Sequence, residues 1–169
     1  MSAHAAVAVL QPLIGTWVGE GEGQYPTIAP FRYRDHIRFY SSGQPFLFME
    51  QRTKRVDSET PMHSEMGFWR VANGRSVEVA ISHAMGLTEV SEGSACVDGM
   101  AAGALVVTLE STTLGRVSHS TRPHVVKLRR AFTVAADGSR LEYTVEMATD
   151  QTPLHLHLRA SLIKAEEFT

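Results

Sequence analysis

The sequence predicts an all-β fold, an antiparallel meander of about ten strands that must close into a barrel or split into a sandwich. Three observations carry this. Nearly every segment after residue 14 alternates apolar and polar side chains with period two, as strands with one buried face do. Turn dipeptides fall between segments, at Ser42-Gly43, Asn73-Gly74, Glu92-Gly93, Asp98-Gly99 and Asp137-Gly138. The 169 residues, 43% hydrophobic and 20% charged, have ordinary globular composition and contain no linker or repeat, so one domain over 1–169 is expected.

In chain order, only the first dozen residues suit a helix, and Gln11-Pro12 ends it early. The run "LIGTWVGEGEGQYPTI" (13–28) follows, with Gly15, Gly19, Gly21 and Gly23. A phosphate-binding loop would need a Lys-Ser/Thr pair and a following helix, and neither is present. Read as a strand, the run puts Trp17 on one face with the four glycines, opposite Thr16, Val18, Glu20 and Glu22. Glycine in a strand marks a bend or a close approach, so Trp17 is expected to plug one end of the core. The glycine-rich end with Tyr25-Pro26-Thr27 can also form part of a ligand rim.

"FRYRDHIRFY" then sets Phe31, Tyr33, Ile37 and Phe39 against Arg32, Arg34, His36 and Arg38. "RSVEVAIS", "GALVVTLES" and "VVKLRRAFTV" alternate in the same way, and "RLEYTVEMA" sets Leu141, Tyr143, Val145 and Met147 against Glu142, Thr144 and Glu146. So many strands must manage their edges by closure or by sandwiching. A barrel of more than eight strands has room inside for a small ligand, and that is the expected architecture.

Composition narrows the function classes. A net charge of −2 offers no basic footprint for nucleic acid and no attraction to anionic lipid. Ala3–Leu10 is apolar but too short to span a bilayer, and no Lys or Arg precedes it. Cys96 is the only cysteine, which excludes an intrachain disulfide and a cysteine-based metal cluster. A reducing, cytoplasmic setting is expected.

The spacing Gly15-x-Trp17-x-Gly19-x-Gly21, followed by Tyr25-Pro26-Thr27, resembles the opening signature of the nitrobindin family. These are haem-binding β-barrels also described as peroxynitrite isomerases. "PFRYRD", "PMHSEMGFWR", "GLTEVSEG", "YTVEMAT" and "HLRASLIK" are similar to family segments in family order, so the resemblance spans residues 13–164. It implies a ten-stranded barrel like the fatty-acid-binding proteins in outline, holding haem b at one open end. It also implies isomerisation of peroxynitrite to nitrate by the ferric haem and reversible binding of nitric oxide. Related barrels often form homodimers.

Carried over residue by residue, the resemblance makes His157 the axial iron ligand, from the His-Leu-x-Ala-x-Leu pattern. It makes Thr27 a haem contact near the mouth, and Met62, His63 and Met147 cavity-lining positions. Lys127 becomes a propionate partner. One departure stands out. Where the family often shows Gln-x-Thr before the Gly-Leu of the sixth strand, this chain reads His83-Ala84-Met85-Gly86-Leu87, which puts a histidine near the cavity.

The residues taken alone leave alternatives open. Neutral imidazole is the commonest protein donor to haem iron, and His155 and His157 stand out as an i, i+2 pair. Such a pair can also begin a zinc site, but no third ligand follows by spacing. Strict alternation along Leu154, Leu156, Leu158, Ala160 and Leu162 sends both histidines outward, and only a bulge or a haem lying across the rim brings His157 to it. Met62, Met66, Met85 and Met147 fit a polarisable cavity wall or plain core packing. His63 and Glu65, on one strand face, fit an acid–base pair or a surface ion pair. Arg32, Arg34 and Arg38 read as a solvated strip. The same barrel without catalysis would be a carrier of a small hydrophobic ligand, and with its cavity filled by its own side chains an interaction domain.

Overall fold

Ten strands follow one another in antiparallel pairs, and the last returns to the first. The computed structural model describes residues 3–98 and 103–165. Strands β1 (Gly15–Tyr25), β2 (Ile28–Ser41), β3 (Phe46–Arg55), β4 (Pro61–Ala72) and β5 (Ser76–His83) make half the wall. β6 (Leu87–Asp98), β7 (Ala104–Arg116), β8 (Val125–Val134), β9 (Arg140–Thr149) and β10 (Thr152–Lys164) make the rest. Pairing of β1 with β10, from Trp17 opposite Lys164 to Gly23 opposite Leu158, closes the barrel. Closure leaves no sheet edge unpaired, which is why a chain of consecutive hairpins settles here rather than in an open sheet. No helix among the described residues is long and apolar enough to cross a membrane.

The alternation read from sequence maps onto the inner and outer faces. Tyr33, Ile37 and Phe39 of β2 and Leu141, Tyr143 and Val145 of β9 are all buried. Two local expectations are corrected. The short N-terminal helix is present as a 3₁₀ segment, Ala5–Leu13, kinked at Val7, but Gln11-Pro12 does not end it, and Pro12 lies inside. The Glu92-Gly93 pair is not a turn but lies in the middle of β6, where Gly93 pairs with Leu109. A Cβ on Gly93 would stand 1.8 Å from the Thr108 carbonyl oxygen, so glycine serves strand-to-strand approach there. Gly99 of the expected Asp98-Gly99 turn lies outside the described residues.

The glycine run is a strand, as expected, and its close neighbours are rings. A Cβ on Gly21 would meet the Tyr33 ring at 2.3 Å, and one on Gly23 the Phe31 ring at 2.0 Å. The missing side chains let the outer ends of two β2 aromatic rings lie over β1.

The two ends of the barrel differ. At one end Val7, Leu10 and Leu13 of the 3₁₀ segment are wholly buried and pack on Trp17 and its neighbours as a stopper. Trp17 Nε1 donates to the Leu13 carbonyl at 2.8 Å, and Phe39, Trp69 and Phe132 pack edge to face beneath it. Trp17→Ala should therefore cost about 3–5 kcal/mol, the range for large buried aromatics. A urea midpoint equal to that of wild type would show that Trp17 does not hold the stopper. At the opposite end, where β1 and β9 finish and β2, β4 and β10 begin, the lumen is open.

Candidate functional site

That open end is a cavity of about 660 Å³, inside the range of roughly 300–1,000 Å³ typical of small-molecule and cofactor sites. Its upper wall is largely apolar: Phe31, Val125, Leu128, Met147 and Leu158. His157 enters the same wall because β10 bulges. The register runs Leu156 opposite Glu146, then Leu158 opposite Val145, so His157 is an extra residue with no partner on β9. One extra residue turns the side chain that strict alternation sends outward into the cavity, while Ala160 and Leu162 keep their core positions.

The orientation of the ring is fixed. His157 Nδ1 lies 3.1 Å from the Gln24 carbonyl oxygen. A carbonyl only accepts, so Nδ1 carries the hydrogen and the lone pair sits on Nε2. Tyr25 and Phe31 meet the imidazole edge to face, with centroids 5.5 and 6.4 Å away. Tyr25 is itself tied by its hydroxyl, which donates to the Met147 carbonyl at 3.2 Å. Partial burial lowers the His157 pKa, against the opposing pull of the Gln24 bond, so the ring is kept neutral. A neutral imidazole with one nitrogen hydrogen-bonded and the other presenting a lone pair is a preformed metal donor.

Below the apolar wall lies a layer of buried charge. Arg130 donates to both Glu65 oxygens at 2.8 and 3.1 Å and to Glu89 Oε2 at 2.8 Å. His83 stands between the two carboxylates, with Nδ1 3.2 Å from Glu65 Oε2 and Nε2 3.2 Å from Glu89 Oε2. Burial by itself raises a carboxyl pKa, yet the Arg130 charge and the His83 contact hold Glu89 at about 2 and Glu65 well below the usual range. A second cluster joins Asp35, Gln51, Tyr33 and Tyr143: Gln51 donates to Asp35 at 2.8 Å, and the tyrosine hydroxyls are 2.8 Å apart. Here no cation intervenes, and burial pushes Asp35 up to about 6 despite bonds from Tyr143 and Gln51.

The expected site residues separate accordingly. His157, Met62, His63 and Met147 all line the cavity, as does Met85 at the mouth. His63 and Glu65 face inward and meet at 3.0 Å, an interior pair rather than a surface one. Thr27 lies in the exposed β1–β2 turn, beside the lining residue Ile28. Lys127 does not reach the cavity; its ammonium is 2.6 Å from Glu110 on the outer surface, because the inward positions of β8 are Leu128 and Arg130. The propionate role carried over to Lys127 is therefore withdrawn; Arg55 does line the cavity, with its guanidinium paired to Asp57 at 3.0 and 3.2 Å. His155 is exposed, and Met66 (56% exposed) lies outside the lining. Asp35, Glu89 and Arg130 were missed by reading motifs. For Asp35 and Arg130 the signal was present, since each falls on the apolar face of an alternating strand; Glu89 shares its face with Ser91 and Gly93 and has no such signal.

Residues 6–164 match the family described as the THAP4-like, heme-binding beta-barrel domain. The chain belongs to the nitrobindin family. A protein of Nocardia farcinica named peroxynitrite isomerase is 43% identical over 159 residues, covering 94% of this chain and 90% of that one. Peroxynitrite isomerase 2 of Mycobacterium avium is 38% identical, over 94% of each chain. The crystal structure of Rv2717c from M. tuberculosis superposes with a TM-score of 0.89 at 34% identity, over 98% of this chain and 100% of that one. This member of the nitrobindin family fits a haem on its own features: an oriented imidazole lone pair, a cavity of cofactor size and an apolar wall.

Proposed function

We propose that the barrel binds haem b in this cavity, that His157 Nε2 would hold its iron, and that the protein acts as a peroxynitrite isomerase that yields nitrate. The reading includes reversible binding of nitric oxide and a reducing, cytoplasmic setting. The observation that carries it is the His157–Gln24 bond of 3.1 Å, which presents a neutral imidazole lone pair at a bulge opening on the cavity. The relatives named peroxynitrite isomerase support the reaction. When bound, the haem supplies an iron centre able to take up peroxynitrite and nitric oxide. The chain supplies the rest. Gln24 and Tyr25 hold the His157 ring, the apolar wall limits water, and Arg55, ion-paired with Asp57, lines the cavity.

Hemin titration should give one equivalent bound with a Soret band. The loaded protein should accelerate peroxynitrite decay with nitrate rather than nitrite as product. Hemin that binds without speeding decay would leave a carrier and remove the isomerase.

The reading also includes a homodimer. On the outside of β2–β4, Tyr40 stacks on Phe48 at 4.7 Å beside Phe46, and Phe68 remains 49% exposed. Arg38, Glu50, Arg70 and Glu78 border this face, so it carries both signs of charge and can complement its own copy about a two-fold axis. Phe68→Glu should convert a sedimenting dimer to monomer; a wild-type monomer at all concentrations ends this part of the reading.

A further inference from the structure

We propose that His63, Glu65 and His83 form a binding site for a divalent first-row transition-metal ion, separate from His157. The three donor atoms are already gathered. His63 Nε2 lies 3.0 Å from Glu65 Oε2, His83 Nδ1 lies 3.2 Å from the same oxygen, and the two nitrogens are 3.3 Å apart. An ion at about 2.0–2.2 Å from each of three mutually adjacent donors requires them to stand roughly 3 Å apart, so the triangle needs little adjustment. Two imidazoles and one carboxylate on one face, with the remaining positions open, is a set that iron(II) takes in non-haem sites and zinc takes with water.

The local fold explains the gathering. His63 and Glu65 are i, i+2 on the inner face of β4, and Glu65 pairs in register with His83 at the end of β5. Side chains opposite each other across an antiparallel pair meet on the same face. The outer partners are those a metal site requires. Arg130 holds the Glu65 carboxylate by both oxygens, Oε1 at 2.8 Å and Oε2 at 3.1 Å, and fixes it with Oε2 also facing the two imidazoles. Glu89 Oε2, 3.2 Å from His83 Nε2, can accept that ring's hydrogen and leave the Nδ1 lone pair on the side of the triangle. A carboxylate behind a ligating histidine fixes both its tautomer and its ring plane. Ser91 Oγ donates to Glu89 at 2.6 Å and holds it in turn.

Charge argues in the same direction. Glu65 and Glu89, 6% and 0% exposed, face one guanidinium, so two buried carboxylates share one fixed cation and a divalent ion beside Glu65 adds a second. His63, Glu65 and His83 also all line the cavity, so an ion there has a route in and room for water or a small anion on its open side. The competing occupant of the triangle is a proton shared among the same three atoms.

The test uses the full chain without hemin, titrated with cobalt(II) and followed by ligand-field absorption and calorimetry. One saturable equivalent is expected, displaced by zinc. His83→Gln and His63→Gln should each abolish the band or weaken binding by more than the roughly 10–100-fold that loss of an outer partner costs. His155→Ala and His157→Ala should leave it intact. Because His83 is buried, the thermal midpoint of its variant is read first; if that variant does not fold, the half-buried His63→Gln decides alone. Absence of cobalt binding in the wild type overturns the proposal. So does binding that survives the folded His83 or His63 variant, or that disappears with His157, which would place the ion at the rim.

Discussion

Replacing His157 by alanine is expected to remove the histidine–iron spectrum of the hemin-loaded protein. It should also weaken hemin binding beyond the about 10–100-fold cost of losing an outer partner of a metal ligand. The expectation follows from how singular this imidazole is. It is the extra residue of the β10 bulge, its Nδ1 is committed to the Gln24 carbonyl, and Tyr25 and Phe31 set its plane. His155, two residues earlier, bonds by Nδ1 to the Pro153 carbonyl at 2.7 Å but is exposed and outside the cavity lining. His155→Ala should therefore leave affinity and spectrum unchanged. His83, held between two carboxylates, serves as the second control. Hemin affinity that persists in His157→Ala but falls in either control would assign the ligand to a different histidine.

Arg130→Met should be the most destabilising substitution of a charged residue. It strands two buried carboxylates, where breaking a single buried pair costs about 3–5 kcal/mol, so the loss should lie at or above the upper end. For a chain of this size, about 5 kcal/mol lowers the melting midpoint by roughly 10–20 °C. Arg130→Lys keeps the charge but not the fork that reaches both partners, and should fall between the two. The pH profile adds a sign. Glu65 and Glu89 are held below their unfolded values, so their contribution is complete above about pH 4.5 and is lost as pH falls toward about 2. Asp35 runs oppositely: its carboxyl is raised to about 6, so its contribution is present in acid and lost as pH rises through 6. In Arg130→Met the two glutamates become buried acids without a cation and gain stability from protonation. The gap to wild type should therefore be widest near neutral pH and narrow toward pH 3. A gap that is constant across this range would mean that Arg130 contributes packing rather than charge.

Much of the site was legible as a face rather than as a set of partners. Alternation in "FRYRDHIRFY" leaves Asp35 at an inward position, and in "VVKLRRAFTV" it sets Arg130 between Leu128 and Phe132. What could not be read was their company. Arg130 is on β8, whereas Glu65 and Glu89 are on β4 and β6, neither of which pairs with it; the three meet only across the lumen. The family motif led to His157, although strict alternation along β10 argued against an inward side chain.

By itself the sequence determined the strand succession, the inner and outer faces, the buried Trp17 and the place of the glycine run within β1. The reason is that strand pleating has a two-residue period, so burial leaves its pattern in neighbouring residues. Only the tertiary structure decided that Gly21 and Gly23 clear space for Tyr33 and Phe31, that Gly93 is not a turn, and that Lys127 faces Glu110. It alone decided, too, that one bulge turns His157 inward and that three carboxylates have buried environments with opposite effects on their protons. These depend on register and on contacts between strands distant in the chain, and a bulge adds a single unpaired residue that no local pattern announces.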